Sequence, residues 1–302
     1  MQKMIVVLLA CCAAAAFTAV RAEVSAIDGN GRRVTLPAPA SRIVSLAPHV
    51  TELLFAAGAG AQIIAVSEYS DYPEAAKRLP RVASSAGIDL EQILALRADL
   101  VVAWRLDATA KALDRLDSLG VRLAYIEPHR LEEIPQALEI LGRLAGTERI
   151  AGPEAARLRA ELDRLKETYR GRPVLDVFYQ IGERPIMTLN GRHFVSDALG
   201  LCGGRNIFAN APLIASVVDA EAVLAANPQV IISARGDPAD TAWQTRWLRF
   251  PELRAVHDGN LLALRSNEMH RHGPRAIAAT AQLCELLDGA RARAGLKAAS
   301  PR

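Results

Sequence analysis

Residues and motifs that would mark an enzyme or a nucleic-acid-binding protein are missing from this sequence. It has no Gly-x-Ser-x-Gly, no phosphate-binding loop and no His-Glu-x-x-His, the local patterns of hydrolases, nucleotide-binding proteins and metalloproteases. Lysine and arginine are scattered rather than grouped into a basic run, and the formal net charge is only +3 at pH 7. The sequence therefore gives no reason to expect catalysis or a nucleic-acid partner.

Cysteine is also scarce, and half of it falls in an N-terminal targeting segment. The chain has four cysteines and no Cys-x-x-Cys pair, so no zinc-type spacing is present. Lys3 precedes an apolar run, and residues 20–22, VRA, resemble a cleavage site. Residues 1–22 are therefore predicted to be a secretory signal peptide, since the run is short and alanine-rich for a membrane span. A lipoprotein cleaved before Cys11 is the alternative.

Removal of this segment leaves Cys202 and Cys284 as the two cysteines of the mature chain. An even pair in an exported protein favours a disulfide. Two separate buried thiols are the alternative, and either arrangement is architectural rather than catalytic.

An internal repeat is the strongest pattern that is present. Residues 89–104, DLEQILALRADLVVAW, are echoed by residues 219–234, DAEAVLAANPQVIISA. Each copy predicts an Asp-capped helix, a short turn and a buried strand. A second echo precedes each copy, with residues 51–58 matching residues 196–203. The repeat predicts two similar lobes in tandem, and a cleft between such lobes is a favoured ligand site.

Strands that alternate with helices predict an α/β fold with parallel-rich sheets in each Rossmann-like lobe. We expect a lead-in arm over residues 23–41, an N-terminal lobe over 42–148, a C-terminal lobe over 173–290 and a flexible tail over 291–302. Residues 149–172 carry one narrow apolar stripe, Leu158, Leu162, Leu165 and Tyr169, surrounded by charge. This pattern predicts one long helix that joins the lobes; an ordinary amphipathic helix of a single lobe is the alternative.

Aromatic and polar residues gather where the predicted strands end. In open α/β sheets, ligands bind beyond the carboxyl ends of the strands. The candidate ligand-binding residues at these ends are His49, Tyr69, Ser85, Trp104, Met187 and the segment 267–275, NEMHRHGPR.

Four segments in order resemble a known family. They are residues 67–73, SEYSDYP; residues 90–104, LEQILALRADLVVAW; residues 202–208, CGGRNIF; and Pro-Arg followed by Gln-Leu-Cys at 274–284. The chain is similar over residues 42–290 to the periplasmic vitamin B12-binding proteins of ABC importers, within the helical-backbone class of substrate-binding proteins. The resemblance implies two α/β lobes, one rigid connecting helix, a cleft for a corrinoid and no catalysis.

The resemblance also implies roles for individual residues. Tyr69 and Trp104 match aromatic residues of the cleft. Glu91 and Glu221 match two exposed glutamates that dock onto arginines of the membrane permease, although a first-turn glutamate also stabilises a helix by itself. Cys202 and Cys284 match the family disulfide. The loop that reads the polar rim of the ligand corresponds to Asn267, Glu268, Met269, His270 and Arg271.

The chain departs from that family at several cleft positions. Ser85, Met187 and Ala215 stand where a close relative has large aromatic residues, and Asn267 replaces an aspartate. Imidazole is a common ligand of cobalt and iron, so an added histidine could be an axial ligand of a bound metal. The alternative is that the histidines only hydrogen-bond the ligand or line solvent. The histidines added to the cleft are His49, His270 and His272.

These observations predict a monomeric periplasmic protein that delivers cobalamin to an ABC permease and its ATPase, with no cofactor of its own and with pre-organised lobes. Haem is an alternative cargo because of the added histidines. A ferric siderophore is another, because Arg105, Arg271 and Arg275 could meet anionic groups. A metal-dependent enzyme using His270 and His272 is a remote alternative, since two histidines on a loop without convergent carboxylates make a weak metal site.

Overall fold

Runs of branched apolar residues form the inner strands of two sheets. Ile43–Ser45 and Leu100–Ala103 are buried along their whole length, as expected for parallel strands covered by helices on both faces. The computed structural model describes residues 22–235 and 239–296, which form two α/β lobes. The predicted signal peptide, up to residue 21, and the last residues of the predicted tail, 297–302, lie outside the described residues.

The predicted lead-in arm is an antiparallel hairpin. Val24–Ile27 (β1) pairs with Arg33–Leu36 (β2). Val34 and Leu36 are buried while Arg33 and Thr35 are exposed, the alternation typical of a strand with one covered face. Asp28 accepts a hydrogen bond from the backbone N–H of Tyr125. The segment 23–41 therefore packs onto the N-terminal lobe.

Six strands form the sheet of the N-terminal lobe in the order β6-β5-β4-β3-β7-β8, within the described residues. Neighbouring strands are parallel except for β5 and β6. The strands are β3 (Ile43–Ser45), β4 (Ile63–Ser67), β5 (Arg81–Ser84), β6 (Gly87–Ile88), β7 (Leu100–Ala103) and β8 (Leu123–Tyr125).

Four α-helices cover this sheet, and short 3-10 helices at Gly60–Gln62 and Glu74–Arg78 complete the lobe. Gly146 ends the fourth helix in the left-handed conformation, with φ 69°, the usual helix stop. The α-helices are α1 (Pro48–Ala56), α2 (Leu90–Ala95), α3 (Asp107–Ser118) and α4 (Glu133–Ala145).

The connecting helix, α5, spans Glu148–Tyr169. Its apolar stripe is buried at Leu158, Leu162 and Leu165, as the sequence predicted. The stripe packs against α1 and α4 of the N-terminal lobe and against two helices of the C-terminal lobe, Phe194–Leu201 and Pro274–Arg293. One continuous apolar core therefore runs under both lobes.

The sheet of the C-terminal lobe has the order β12-β10-β9-β13-β14, with β11 beside the first half of β9, within the described residues. β10 is antiparallel to both neighbours, whereas β11, β13 and β14 are parallel to the strands they pair with. The strands are β9 (Leu175–Glu183), β10 (Ile186–Leu189), β11 (Gly204–Asn206), β12 (Ala215–Val217), β13 (Val230–Arg235) and β14 (Leu261–Arg265).

The last helix of this lobe ends later than the sequence predicted. The last helix continues to Arg293, and Arg291, assigned to the flexible tail, is buried and donates hydrogen bonds to the carbonyls of Cys202 and Gly203. Among the described residues, no helix has the length and apolarity to span a membrane. The helices are α6 (Phe194–Leu201), α7 (Ala220–Ala226), α8 (Gln244–Trp247), α9 (Arg254–His257), α10 (Ser266–Met269) and α11 (Pro274–Arg293).

The internal repeat appears as equivalent structure in the two lobes. Asp89 caps α2 by accepting a hydrogen bond from the N–H of Gln92 at 2.9 Å, and Asp219 caps α7 through Ala222 at 2.7 Å. Each helix leads into a buried inner strand, β7 or β13. The prediction of two similar lobes, joined by one long helix, is confirmed.

A disulfide joins Cys202, just after α6, to Cys284 in the middle of α11, with Cα atoms 4.7 Å apart. Both cysteines are fully buried. The bond fixes α11 to the rest of the C-terminal lobe, and the predicted pairing is confirmed.

Candidate ligand-binding site between the lobes

The carboxyl ends of β3, β4 and β7 bring three predicted site residues to one edge of the N-terminal lobe. His49 lies in the first turn of α1, Tyr69 follows β4 and Trp104 follows β7. The loop after β14 faces them from the C-terminal lobe. Together they enclose a pocket of about 240 Å³ between the lobes. The lining residues are Pro48, His49, Tyr69, Trp104, Asn267, His270, Arg271 and His272.

Tyr69 holds an exposed ring on an unusual backbone. Its side chain is 68% exposed, although large aromatic residues are ordinarily covered. Its φ is 62°, a left-handed conformation that is uncommon for residues other than glycine. The tyrosine carbonyl accepts a hydrogen bond from Arg271 Nη2 at 3.1 Å. The ring therefore stands at the rim of the pocket with its face available to a ligand.

An ion-pair cluster ties the two lobes together beside the pocket. Glu52 in α1, whose side chain is 1% exposed, accepts hydrogen bonds from Arg271 Nη1 at 3.0 Å and Arg275 Nη2 at 2.6 Å. Arg271 Nη1 also donates to Asp71 Oδ1 at 2.5 Å. This hydrogen bond holds the pKa of Asp71 below its usual range. We call Glu52, Asp71, Arg271 and Arg275 the interlobe clamp.

Four imidazole rings gather at the pocket, and three of them line it. The His272 ring lies 5.4 Å from that of His49 and 5.2 Å from that of His193, centroid to centroid. Trp104 lies 5.4 Å from His49 and 5.6 Å from His272. The His270 Nε2 atom is 3.1 Å from the hydroxyl of Tyr179. We call His49, His193, His270 and His272 the imidazole cluster.

Burial keeps the imidazole cluster uncharged. Desolvation is the largest influence on each ring, and it lowers the pKa of His49 and of His270 to about 4. The pKa of His193 falls to about 3 and that of His272 to about 2, with neighbouring histidines adding to the effect of burial. At neutral pH these rings are neutral, so each has a lone pair on one nitrogen.

Unsatisfied polar atoms also face this region. The indole Nε1 of Trp104 and the Nδ1 of His272 are buried without a hydrogen-bond partner among the described residues. Such atoms are rare in folded proteins and call for an explanation. No group of three or more histidine, cysteine, aspartate or glutamate side chains in the described part of the chain is arranged to hold a metal ion.

The remaining predicted site residues lie outside the pocket. Ser85 is exposed in a turn beyond β5, and Met187 lies half-buried in β10 opposite Val217. Glu268 is half-buried and Met269 is fully buried in the core. The sequence had also overlooked residues that the structure brings to the cleft: Glu52, Asp71 and His193. None of these had a local signal, because their contacts come from the opposite lobe or from the packing of distant loops.

A larger cavity of about 800 Å³ lies next to the imidazole cluster, and His193 lines it. Its arginines are already engaged: Arg130 pairs with Asp197 at 3.3 Å, and Arg205 pairs with Asp176 at 2.6 Å. The smaller pocket lies at the strand ends and holds most of the predicted residues. We therefore take the smaller pocket as the centre of the site.

Glu91 and Glu221 occupy equivalent positions on the outer surface of the two lobes. Each is the second residue of its helix, α2 or α7, and each is exposed. Neither side chain has a hydrogen-bond or ion-pair partner among the residues that the structure describes. Two unpaired carboxylates, one on each lobe, are available to a basic partner.

Comparison with known proteins agrees with this architecture. The vitamin B12-binding protein of Vibrio campbellii is 36% identical over 247 residues, which cover 82% of this chain and 89% of the relative. That of Photorhabdus laumondii is 37% identical over 247 residues, covering 82% and 88%. The crystal structure of the periplasmic vitamin B12 binding protein BtuF of Vibrio cholerae is 37% identical, with a TM-score of 0.78, and covers 84% of this chain and 98% of that one.

A haem-binding protein shares the fold at lower identity. The periplasmic haem-binding protein RhuT from Roseiflexus is 24% identical, with a TM-score of 0.71 over 83% of this chain and 98% of that one. Residues 43–264 match the family described as periplasmic binding protein, and the predicted resemblance is confirmed at that level. The chain belongs to the periplasmic binding protein family.

Proposed function

We propose that this protein captures a corrinoid of the vitamin B12 class between its lobes and delivers it to an ABC importer. The observation that carries the proposal is the pocket at the strand ends, where Tyr69 and Trp104 face the loop 267–272. Flat aromatic faces cover the apolar edges of a macrocycle with little loss of conformational entropy. Relatives named vitamin B12-binding proteins, at 36–38% identity, support the same cargo.

Binding requires the lobes to move apart. A pocket of about 240 Å³ is smaller than the roughly 300–1,000 Å³ typical of small-molecule sites. Arg271 crosses the mouth of this pocket to reach Asp71 and the carbonyl of Tyr69. A corrinoid that enters would break these contacts, so we propose that the lobes open on binding rather than keep one pre-organised arrangement.

Haem is the second candidate cargo, and the imidazole cluster is the observation that favours it. A ferric siderophore is less well supported. Arg105 donates to both oxygens of Asp114, and the other two candidate arginines donate to Glu52. None of the three is free to meet an anionic ligand.

Calorimetric titration of the purified protein with cyanocobalamin, dicyanocobinamide and haemin tests the proposal. We expect both corrinoids to bind more tightly than haemin. Tighter binding of haemin, together with a haem absorption band in the isolated protein, would replace the corrinoid by the second candidate.

We further propose that residues 1–22 direct export to the periplasm and that Glu91 and Glu221 dock on basic residues of a permease that works with an ATPase. The protein is then a monomeric carrier rather than an enzyme. The exposed, matching positions of Glu91 and Glu221 support a two-point contact with the permease. If the two glutamates only stabilised their helices through the helix dipole, each would contribute about 0.3–1 kcal/mol to stability and nothing to transport.

The double substitution Glu91→Arg, Glu221→Arg tests this docking role. We expect unchanged corrinoid affinity and melting temperature but loss of uptake in cells that carry the cognate permease, because charge reversal opposes basic partners. The matched control is Glu167→Arg, Glu252→Arg, which reverses two exposed glutamates outside the helix first turns and should transport normally. Normal uptake by the first variant would leave both glutamates with a helix-stabilising role only.

A further inference from the structure

We propose that His49 Nδ1 is an axial ligand to the cobalt of the bound corrinoid. The inference rests on the proposed function and extends it to the chemical class of corrinoid. It predicts a preference for corrinoids that carry an exchangeable axial water over those with both axial positions filled. His49 is the member of the imidazole cluster whose hydrogen-bond partner leaves one ring nitrogen with a free lone pair, and its ring lines the pocket.

The backbone fixes the tautomer of His49. Its Nε2 lies 3.1 Å from the carbonyl oxygen of Ile126. A carbonyl only accepts hydrogen bonds, so Nε2 carries the proton and Nδ1 carries the lone pair. Nδ1 has no hydrogen-bond partner among the described residues, and the ring lines the pocket. Histidines that bind metals commonly donate their other N–H to a backbone carbonyl in this way.

The ring is also held in place and uncharged. His49 is 3% exposed, lies in the first turn of α1 and meets Trp104 edge-on. The positive end of a helix dipole disfavours protonation of an imidazole there. This agrees with the depressed pKa of about 4 caused by burial. A neutral, oriented imidazole can bind a metal without first losing a proton.

The other members of the imidazole cluster are less suited to the role. His193 Nδ1 accepts a hydrogen bond from the N–H of Val195 at 3.2 Å, so in the neutral ring Nε2 is protonated and no lone pair remains. His270 Nε2 is engaged with the hydroxyl of Tyr179. The His272 Nδ1 atom is buried without a hydrogen-bond partner among the described residues, so no contact there fixes which nitrogen of that ring carries the lone pair.

A single histidine is sufficient for this ligand. The corrin ring supplies the four equatorial nitrogens, so the protein needs to add only one axial donor, and imidazole suits cobalt. The absence of a multi-ligand cluster among the described residues is therefore compatible with the proposal. Cobalt reaches the ring once the interlobe clamp has opened and the corrin lies against Trp104.

Absorption spectroscopy with aquocobalamin tests the assignment. We expect the visible bands of aquocobalamin to shift when it binds the wild-type protein, because an imidazole nitrogen replaces the axial water. His49→Gln should abolish the shift and weaken aquocobalamin binding by about tenfold or more relative to any change in cyanocobalamin binding. His257→Gln is the control, since that ring is exposed on the surface, and it should keep the shift.

Electron paramagnetic resonance provides a test on the unaltered protein, in case His49→Gln does not fold. Reduced cobinamide has no lower base of its own, so any axial nitrogen coupled to its Co(II) comes from the protein. Nitrogen coupling that changes on labelling histidine with nitrogen-15 supports the proposal. Absence of coupling would overturn the axial-ligand proposal, and so would an aquocobalamin shift that persists in His49→Gln. In either case, binding of cyanocobalamin by the wild-type protein would leave the proposed function intact. Failure of every corrinoid to bind overturns both.

Discussion

Tyr69 and Trp104 contribute to the cleft in different ways. Tyr69 is exposed on a left-handed backbone, whereas Trp104 is half-buried with an unsatisfied indole N–H. Both were predicted from their positions after buried strands, because the carboxyl ends of parallel strands share one edge of a sheet. His49, Asn267, His270 and Arg271 were predicted for the same reason and line the same pocket.

Replacing either aromatic residue should weaken binding without unfolding the protein. We expect Tyr69→Ala or Trp104→Ala to reduce cyanocobalamin affinity by about 1–3 kcal/mol, since each removes a ring from a contact that excludes water. Leu119→Ala is the control, because it trims an exposed apolar side chain at the end of α3. Calorimetry measures all three, and equal affinities for the tyrosine and leucine variants would remove Tyr69 from the site.

The interlobe clamp could not have been predicted in the same way. Glu52 lies within the mostly apolar helix α1 and Asp71 within a polar loop, and neither has a local pattern that marks it as an ion-pair partner. Their partners, Arg271 and Arg275, are about two hundred residues away in the chain. Only the relative position of the lobes brings them together, and no local pattern encodes that position.

The imidazole cluster predicts a pH-dependent stability. Each ring has a lower pKa when folded than the value of about 6.5 in the unfolded chain, so the unfolded chain binds more protons as the pH falls. Stability is therefore full above about pH 7 and declines as the pH drops below about 6.5, by up to about 1.4 kcal/mol per histidine per pH unit. The folded values of about 2 to 4 set the lower end of this decline.

Thermal unfolding between about pH 7.5 and 5.5, above the range in which most carboxylates titrate, measures this effect. We expect His193→Gln to reduce the fall in melting temperature. His257→Gln should leave it unchanged, because His257 is 78% exposed. The same pH dependence in wild type and in His193→Gln would contradict the assignment.

Elements with strong local signals were predicted well. The Asp-capped helices α2 and α7 and the inner strands β7 and β13 are present, and the long helix α5 begins and ends within a few residues of its predicted bounds. Strands β10, β11 and β12 were not predicted. They are three or four residues long and lie at or near one edge of their sheet, where pairing rather than periodicity decides the conformation.

The disulfide should hold the last helix, α11, in place in solution. Alkylation of the native protein without reductant should label no thiols at Cys202 or Cys284. The double substitution Cys202→Ser, Cys284→Ser should lower the free energy of unfolding by about 2–5 kcal/mol, because the bond closes a loop of 82 residues. Reduced wild-type protein is the control and should unfold at the same denaturant concentration as the variant. Two labelled thiols on unreduced protein would disprove the bond in solution.

At the scale of the whole molecule, two lobes share one core but meet at the cleft through charged contacts. The helix α5 and the core beneath it hold the lobes together on one side, and the interlobe clamp closes the other side. The proposed opening of the cleft would break a few polar contacts and leave the apolar core intact. The proposed capture of a corrinoid depends on that movement.

Cross-linking across the cleft tests most directly whether the ligand binds between the lobes. Tyr72 and Arg275 touch across the cleft, with the guanidinium carbon 4.1 Å from the ring centroid, and neither lines the pocket. A short bis-maleimide should therefore join the variant Tyr72→Cys, Arg275→Cys and hold the lobes together. We expect the cross-linked protein to lose cyanocobalamin binding in calorimetry, while the same variant capped with a mono-maleimide still binds. Unchanged binding by the cross-linked protein would show that the corrinoid site lies elsewhere and would contradict the account.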